Sequence, residues 1–447
     1  MTIPASIEYV LQAALSYADF IMVGRIGKNA TAAIGLTQEV TFLLKGVLMA
    51  AGIGIVSCIS VAVGRQDDKK VKRTSIQAFF LSIAIGIFLL VVALLISSRL
   101  PLWLGADKSI LADASMYFRI IFIPAIFTSF NMLLASVLRG VGDMKTPMFV
   151  NVVITICNIV FNFLFIYESR VITILGFKLH VWGAGLFVAG SAIGTAIASV
   201  IGGLLMIAGV LKNPLVSPLQ EPFKLDIKIL KEFVVIAVPV FFLRITTSFG
   251  RVVFTSFVAR LGTVIFAAHT IAFTAESVFY MAVVGMQASV TTLAGNYKGE
   301  GSKRKLDQLT KTSTWLIAIV MFVVGVVMFV STRLVISLFT SDTEVIKIAA
   351  TLFAIVAINE PIFGISMVME GIFNGTGNTK SPFIVQTATL WFVRVFGTWL
   401  TIYVFGLGIY GAWICMVAEN AARGIALSIR YHFVKSRLVA KEDISGN

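Results

Sequence analysis

Stretches of about 20 or more mostly apolar residues recur twelve times along the chain. They lie near 3–23, 36–62, 76–97, 114–137, 148–167, 184–211, 233–258, 267–293, 312–331, 348–373, 383–404 and 408–429. Crossing the hydrocarbon of a bilayer takes about 20 helical residues, so each stretch predicts a transmembrane helix. Polar loops separate them, and alternate loops gather the basic residues. Loops 64–74, 139–146, 212–232, 295–311 and 374–381, with the tail from Arg430, hold 21 Lys and Arg, against nine in the opposite set. Positive loops stay on the cytoplasmic side, so this pattern predicts that side for the first set and for both termini. The first apolar run starts at Ile3 and reads as a span rather than a separate signal peptide. Its bareness predicts that a few residues precede it.

Composition agrees with the pattern. Of 447 residues, 58% are hydrophobic and 13% charged, whereas soluble domains need about a quarter charged. Lipid must cover what water otherwise would. The net charge of +14 sits in short loops, which serves membrane orientation and argues against nucleic-acid binding. Cys58, Cys157 and Cys415 lie far apart in apolar runs and read as buried free thiols, with no zinc spacing.

The chain also repeats itself. Residues 138–147, LRGVGDMKTP, match 373–382, FNGTGNTKSP, at an offset of 235; VGRIGKNATAA (23–33) matches VARLGTVIFAA (258–268) at the same offset. The loops GRQDDKKVKR (64–73) and GNYKGEGSKRK (295–305) agree in character at a nearby offset. Six spans per half give both halves the same orientation, a parallel repeat of the kind secondary transporters use. The expected fold is an all-α polytopic membrane protein of twelve helices in two six-helix bundles. An N-lobe (1–211) and a C-lobe (233–432) are joined by a cytoplasmic linker (212–232) containing Pro214, Pro218 and Pro222, and a cytoplasmic tail follows (433–447).

These motifs resemble the multidrug and toxic compound extrusion (MATE) family over the whole chain. The resemblance rests on Asp19 to Gly27 (DFIMVGRIG) ending helix 1, Leu138 to Pro147, and the second copy from Asn374 to Pro382. It is nearest to the DinF-like branch, which carries an acid at the end of helix 1. It implies two bundles facing each other in a V, and Na⁺/drug or H⁺/drug antiport of amphipathic, mostly cationic drugs or dyes. It further implies a monomer in a prokaryotic plasma membrane, with no cofactor beyond the coupling ion.

Ionisable groups inside spans need a reason, since one near the bilayer centre costs about 3 kcal/mol on insertion scales. Asp19 lies in the outer part of helix 1. Asn158 and Asn162, four apart, share a face of helix 5, and Thr195 on helix 6 falls at a compatible depth at 1.5 Å per residue. Carboxylate, amide and hydroxyl oxygens suit a hard cation. The plainer alternative is hydrogen bonding between helices, which Asn and Thr commonly provide. At offset 235, Asp19 falls on Phe254, Asn158 on Val393 and Asn162 on Gly397, while Thr195 aligns with Met416. The oxygens are therefore confined to the N-lobe. The resemblance puts the cation of the acidic branch at positions matching these four residues. Many relatives have a second carboxylate where this chain has Asn162. Pro4 matches a helix-1 proline linked in the family to bending, and equally suits a first helical turn.

The second half carries Arg244, Arg251, Glu276, Glu360, Glu370, Arg394 and Glu419 within its spans. Glu276 and Glu360 are candidates for substrate binding or secondary coupling; pairing with Arg244 or Arg394 is the alternative. His269 reads as interfacial. No P-loop, metal-ligand cluster or nucleophile motif is present, so neither ATP-driven transport nor enzyme activity is expected. The arginines leave one rival reading, a lipid-linked saccharide flippase of the same superfamily.

Overall fold

The computed structural model describes residues 2–24, 26–174 and 177–439. Twelve long helical passes occur among them. The first six are α1 (Thr2–Gly24), α2 (Lys28–Gly64), α3 (Asp68–Ile96), α4 (Leu111–Phe122 with Ala125–Gly140), α5 (Lys145–Ile166) and α6 (Phe187–Lys212). The second six are α7 (Ile227–Ala259), α8 (Thr263–Gly299), α9 (Lys303–Val330), α10 (Thr343–Gly375), α11 (Lys380–Val404) and α12 (Gly408–Val439). Every expected span falls on one of them. Seven described helices are long and apolar enough to cross a membrane by that measure alone, and the bent pair of α4 makes eight. The other four, α1, α7, α8 and α12, carry ionisable residues in their interiors. Only 28% of the most apolar stretch of α3 is buried, and the same holds for α9, so their outward faces are built for lipid.

The repeat is written into the backbone. α2 and α8 are both 37 residues long and begin and end 235 positions apart. Gly27 and Gly262, which precede them, both adopt positive φ, as do Gly142 and Gly377 before α5 and α11. Only glycine enters that region without strain, which is why these motif glycines recur. Asp143 accepts the backbone N–H of Lys145 (3.1 Å) and Thr146 (3.0 Å), and its counterpart Asn378 accepts that of Ser381 (3.3 Å). Gln66 (φ 56°) also matches Gly301 (φ 71°) at offset 235. The charged loops thus align at the common offset, as Gly64 with Gly299, and not at the nearby one the sequence pattern suggested.

The chain divides into two units. The first holds Ile7–Ile55 and Asp68–Lys231; the second holds Thr2–Ser6, Val56–Asp67 and the chain from Glu232. The ends of α1 and α2 belong to the second unit through close backbone approach. Ser57 Oγ donates to the Gly375 carbonyl at 3.1 Å. A side chain added at Gly64, Gly295 or Gly375 would collide with Asn296, Ser60 or Thr291. Small residues let helices approach this way within a membrane.

Three features were not read from the sequence. Within the all-α architecture an antiparallel hairpin, β1 (Glu168–Ile174) and β2 (Phe177–Ala184), links α5 and α6. α4 is broken by 52° before Pro124's helix, as a proline without an N–H requires. His269, near the start of α8, is held inside the protein. It is 6% exposed and accepts the indole N–H of Trp413 at 3.2 Å. Cys58 and Cys415 are buried, and Cys157 is half-buried. Pro4 occupies the first turn of α1, where backbone N–H groups have no helical partner to lose, and α1 continues through it.

Candidate functional site

The four oxygen-bearing residues predicted for the first unit come together. α5 and α6 pack closely because α6 opens on small residues. A side chain at Gly190 would strike the Phe165 carbonyl, and one at Gly194 would strike the Asn162 side chain. That proximity lets Asn158 Nδ2 donate to Thr195 Oγ1 at 3.0 Å. Asn162 Nδ2 donates to Asn158 Oδ1 at 3.0 Å and to Asp19 Oδ1 at 2.5 Å. Three helices are thereby tied by one chain of polar groups, α1 to α5 to α6. Asn158 and Asn162 are fully buried, and Asp19 is half-buried. One oxygen, Asn162 Oδ1, is buried without a hydrogen-bond partner, a state that ordinarily costs 1–3 kcal/mol.

Lys45 of α2 and Tyr117 of α4 lie within electrostatic reach of Asp19. Lys45 is exposed to solvent and Tyr117 half-buried. The outer end of the cluster is closed by apolar side chains. Val23, Ile166 and Val188, each 0–3% exposed, sit one to two turns beyond Asp19, Asn162 and Thr195 on the same helices. The Tyr167 hydroxyl donates to the Met22 carbonyl at 3.0 Å. Beyond this plug lies a cavity of about 560 Å³ whose lining includes Asn29, Ala30, Asp113, Phe187 and Val188.

A second buried polar group lies below. Glu8 is eleven residues, three turns, before Asp19 and so on the same face of α1. Its Oε1 accepts from Arg139 Nη1 and Asn151 Nδ2, both at 3.1 Å, and its Oε2 is unpartnered. Asn151, Thr155, Asn158 and Asn162 form one continuous buried stripe on α5. The sequence reading passed over Glu8, Lys45 and Arg139.

In the second unit the charges are handled differently. Arg394 donates to Glu419 at 2.8 Å, Arg423 stands 4.0 Å from the same carboxylate, and Thr389 donates to it at 3.2 Å. Glu370 accepts from Gln386 at 3.2 Å. Arg394's ion pair is therefore with Glu419, not with Glu276 or Glu360. Those two carboxylates, on α8 and α10, lie within electrostatic reach of each other, and Arg394 reaches Glu276 at longer range. Glu276 Oε2 and Asn359 Oδ1 are buried without partners. Pro361 lies inside the continuous helix α10, next to Glu360. α11 is wound as π-helix over Thr389–Phe396 and Leu400–Val404, around Arg394. π-Helix is rare and gathers at functional sites; nothing in the composition of α11 announced it.

Twelve passes in two repeated sixes, with ionisable side chains buried inside them, define a polytopic membrane transporter. The sequence model of the MatE family matches residues 4–164 and again 239–400, starting 235 residues apart. The chain belongs to the MatE family of membrane transporters. It is 27% identical over 427 residues to the probable multidrug resistance protein NorM of Thermotoga maritima, covering 94% of this chain and 88% of that one. It is likewise 27% identical over 354 residues to the multidrug export protein MepA of Staphylococcus aureus, covering 79% and 75%. A crystal structure of MATE in complex with MaD3S has the same fold, with a TM-score of 0.90, 22% identity, and 98% and 95% of the two chains covered. A superfamily transporter from Pyrococcus furiosus, described as having reversed binding-pocket polarity, matches at a TM-score of 0.89 and 22% identity, covering 99% and 96%.

Proposed function

We propose that this transporter is a multidrug exporter that exchanges Na⁺ or H⁺ for amphipathic, mostly cationic compounds by alternating access. It works as a monomer in the plasma membrane, with both termini cytoplasmic. Its lobes are 1–211 and 233–432, joined by linker 212–232, and the tail is 433–447, of which 440–447 lie outside the described residues. The observation that carries the reading is the buried chain Asp19–Asn162–Asn158–Thr195 with its unpartnered carboxamide oxygen.

The cation acts through Asp19. A bound ion shifts a conformational equilibrium only if it binds one state better. Its ligands sit on α1, α5 and α6, so binding ties those helices together. Na⁺ or H⁺ at Asp19 also removes the negative charge that attracts a cationic drug, which makes the two ligands mutually exclusive. For Na⁺ the Asn162 carboxamide must turn its oxygen toward Asp19, where its NH₂ now points; that turn also gives the unpartnered oxygen a ligand. A proton needs no such turn. Glu276 and Glu360 form a secondary coupling or substrate site. Adaptable Phe and Met side chains line the drug path. The pairing of Arg394 with Glu419 leaves less positive charge for a pyrophosphate lipid and disfavours the flippase reading.

The test is ethidium efflux from proteoliposomes, with Na⁺ and pH gradients imposed separately. One gradient is expected to drive efflux in the parent protein and to fail in Asp19→Asn. Efflux indifferent to both gradients would remove the antiport reading.

A further inference from the structure

Between α6 and α7 the chain runs irregularly through residues 213–226, with one 3₁₀ turn at Pro218–Gln220. Irregular backbone is normally excluded from lipid because its N–H and C=O groups lack partners. Here many of the N–H groups are met. The N–H groups of Leu215, Val216 and Ser217 all go to Asn213, through its side-chain or main-chain oxygen. Pro214, Pro218 and Pro222 have no N–H to satisfy. Gln77, 1% exposed in the third turn of α3, clamps the far end from both sides of its amide. Its Nε2 donates to the Lys224 carbonyl at 2.8 Å, and its Oε1 accepts the Asp226 N–H at 2.9 Å. Phe223 packs against Phe80 (tilted) and Phe79 (edge-on) with ring centroids 4.9 and 6.2 Å apart, and Arg73 pairs with Glu221 at 3.6 Å. The segment is a strap fixed to α3.

Its outer surface is unusual for a water-exposed loop. Leu215, Leu219, Phe223, Leu225 and Ile227 are 48–76% exposed. Further along α7, Val234, Val235 and Val238 are 42–55% exposed as well, as a helix side facing lipid would be. Exposed Lys212, Lys224, Lys228 and Lys231 flank them. Apolar side chains interleaved with lysines match an interfacial membrane contact, buried in the headgroup and upper acyl region and drawn to negative lipid.

We infer that residues 213–227 form a preformed docking strip for anionic phospholipids of the cytoplasmic leaflet. This rests on the orientation read from loop charge. A membrane-impermeant amine reagent applied outside intact cells checks that separately: modification of Lys224 would mean the orientation is wrong.

The strip itself is tested with a benzophenone amino acid at position 219, in full-length protein reconstituted in vesicles of phosphatidylcholine and phosphatidylglycerol at 3:1. After illumination, intact-protein mass spectrometry identifies the adduct. Phospholipid adducts are expected, with phosphatidylglycerol enriched about threefold or more over its bulk share. Changing Lys212, Lys224, Lys228 and Lys231 together to Gln should return that share to bulk. Protein–protein adducts, absence of lipid adducts, or a bulk phosphatidylglycerol share in the parent protein would each overturn the proposal.

Discussion

The two halves share a backbone and differ where it matters. In the first, Asp19, Asn158, Asn162 and Thr195 make a buried polar chain. In the second, the counterparts Phe254 and Met416, each 3% exposed, belong to one apolar cluster with Trp413 and Ala268. His269 packs against Phe254 there at a tilt, with ring centroids 5.7 Å apart. Gly397, opposite Asn162, lies against Cys415 Sγ. The repeated fold brings the same positions together twice, but fills one place with oxygen and the other with carbon. Packing is thus a demand on both halves, while polarity is an addition to one. A buried carboxylate costs several kcal/mol more than a phenyl ring at the same depth, and on that ground the first half is the one proposed to handle the ion. In the second half Arg394 and Arg423 gather on Glu419 and Glu370 accepts from Gln386, whereas Glu276 Oε2 is buried without a hydrogen-bond partner.

The largest effect expected is on function without stability. Asp19→Asn should lower gradient-driven export at least about 100-fold, with a thermal midpoint in detergent within a few degrees of the parent protein. Wild-type resistance to drugs in cells carrying this variant would sink the assignment. The mirror variant, Phe254→Ala, should do the reverse. Truncating a buried Phe costs about 3–5 kcal/mol, read as a fall in the unfolding midpoint, while the Na⁺ or pH dependence of the export that remains stays unchanged. A shifted ion dependence there would show that the second half takes part in coupling.

Smaller effects sharpen the same contrast. Gly194→Ala removes no ligand, yet its methyl group presses on the Asn162 side chain. Cation affinity should fall several-fold, measured by the gradient needed for half-maximal efflux. An unchanged requirement would mean that Asn162 is not held in place by this contact. Met416→Leu conserves volume and should cost less than about 1.5 kcal/mol, with no change in ion dependence.

Much of this was legible in the sequence, and the reasons differ by feature. The spans follow from hydropathy because lipid imposes length and apolarity on every helix. The repeat follows from motif glycines that no other residue replaces without strain, such as Gly142 and Gly377. Asp19 and its partners were readable because polar groups are rare in spans and the i, i+4 rule places Asn158 and Asn162 on one face. Glu8 was equally available, an acid three turns below Asp19 on the same face of α1, though its link to Arg139 on α4 is set by tertiary packing. The hairpin was missed because a short alternating segment between two strong spans is overshadowed by them. Lys45's approach to Asp19, the π-helical winding of α11 and the choice of Glu419 as partner for Arg394 depend on tertiary packing, which no local pattern encodes.

The central claim is that the cation binds at Asp19 with Asn158, Asn162 and Thr195. Equilibrium ²²Na⁺ binding, measured over a pH series on the parent protein, Asp19→Asn, Asn162→Leu and Thr195→Val, tests it most directly. If Na⁺ is the coupling ion, Asp19→Asn should abolish saturable binding and the other two weaken it about tenfold or more. If H⁺ is, no variant should bind Na⁺, and drug displacement by acid should disappear in Asp19→Asn while persisting in Asn162→Leu and Thr195→Val. Parent-like Na⁺ binding and acid displacement in all three variants would contradict the account and move the site to Glu276 and Glu360.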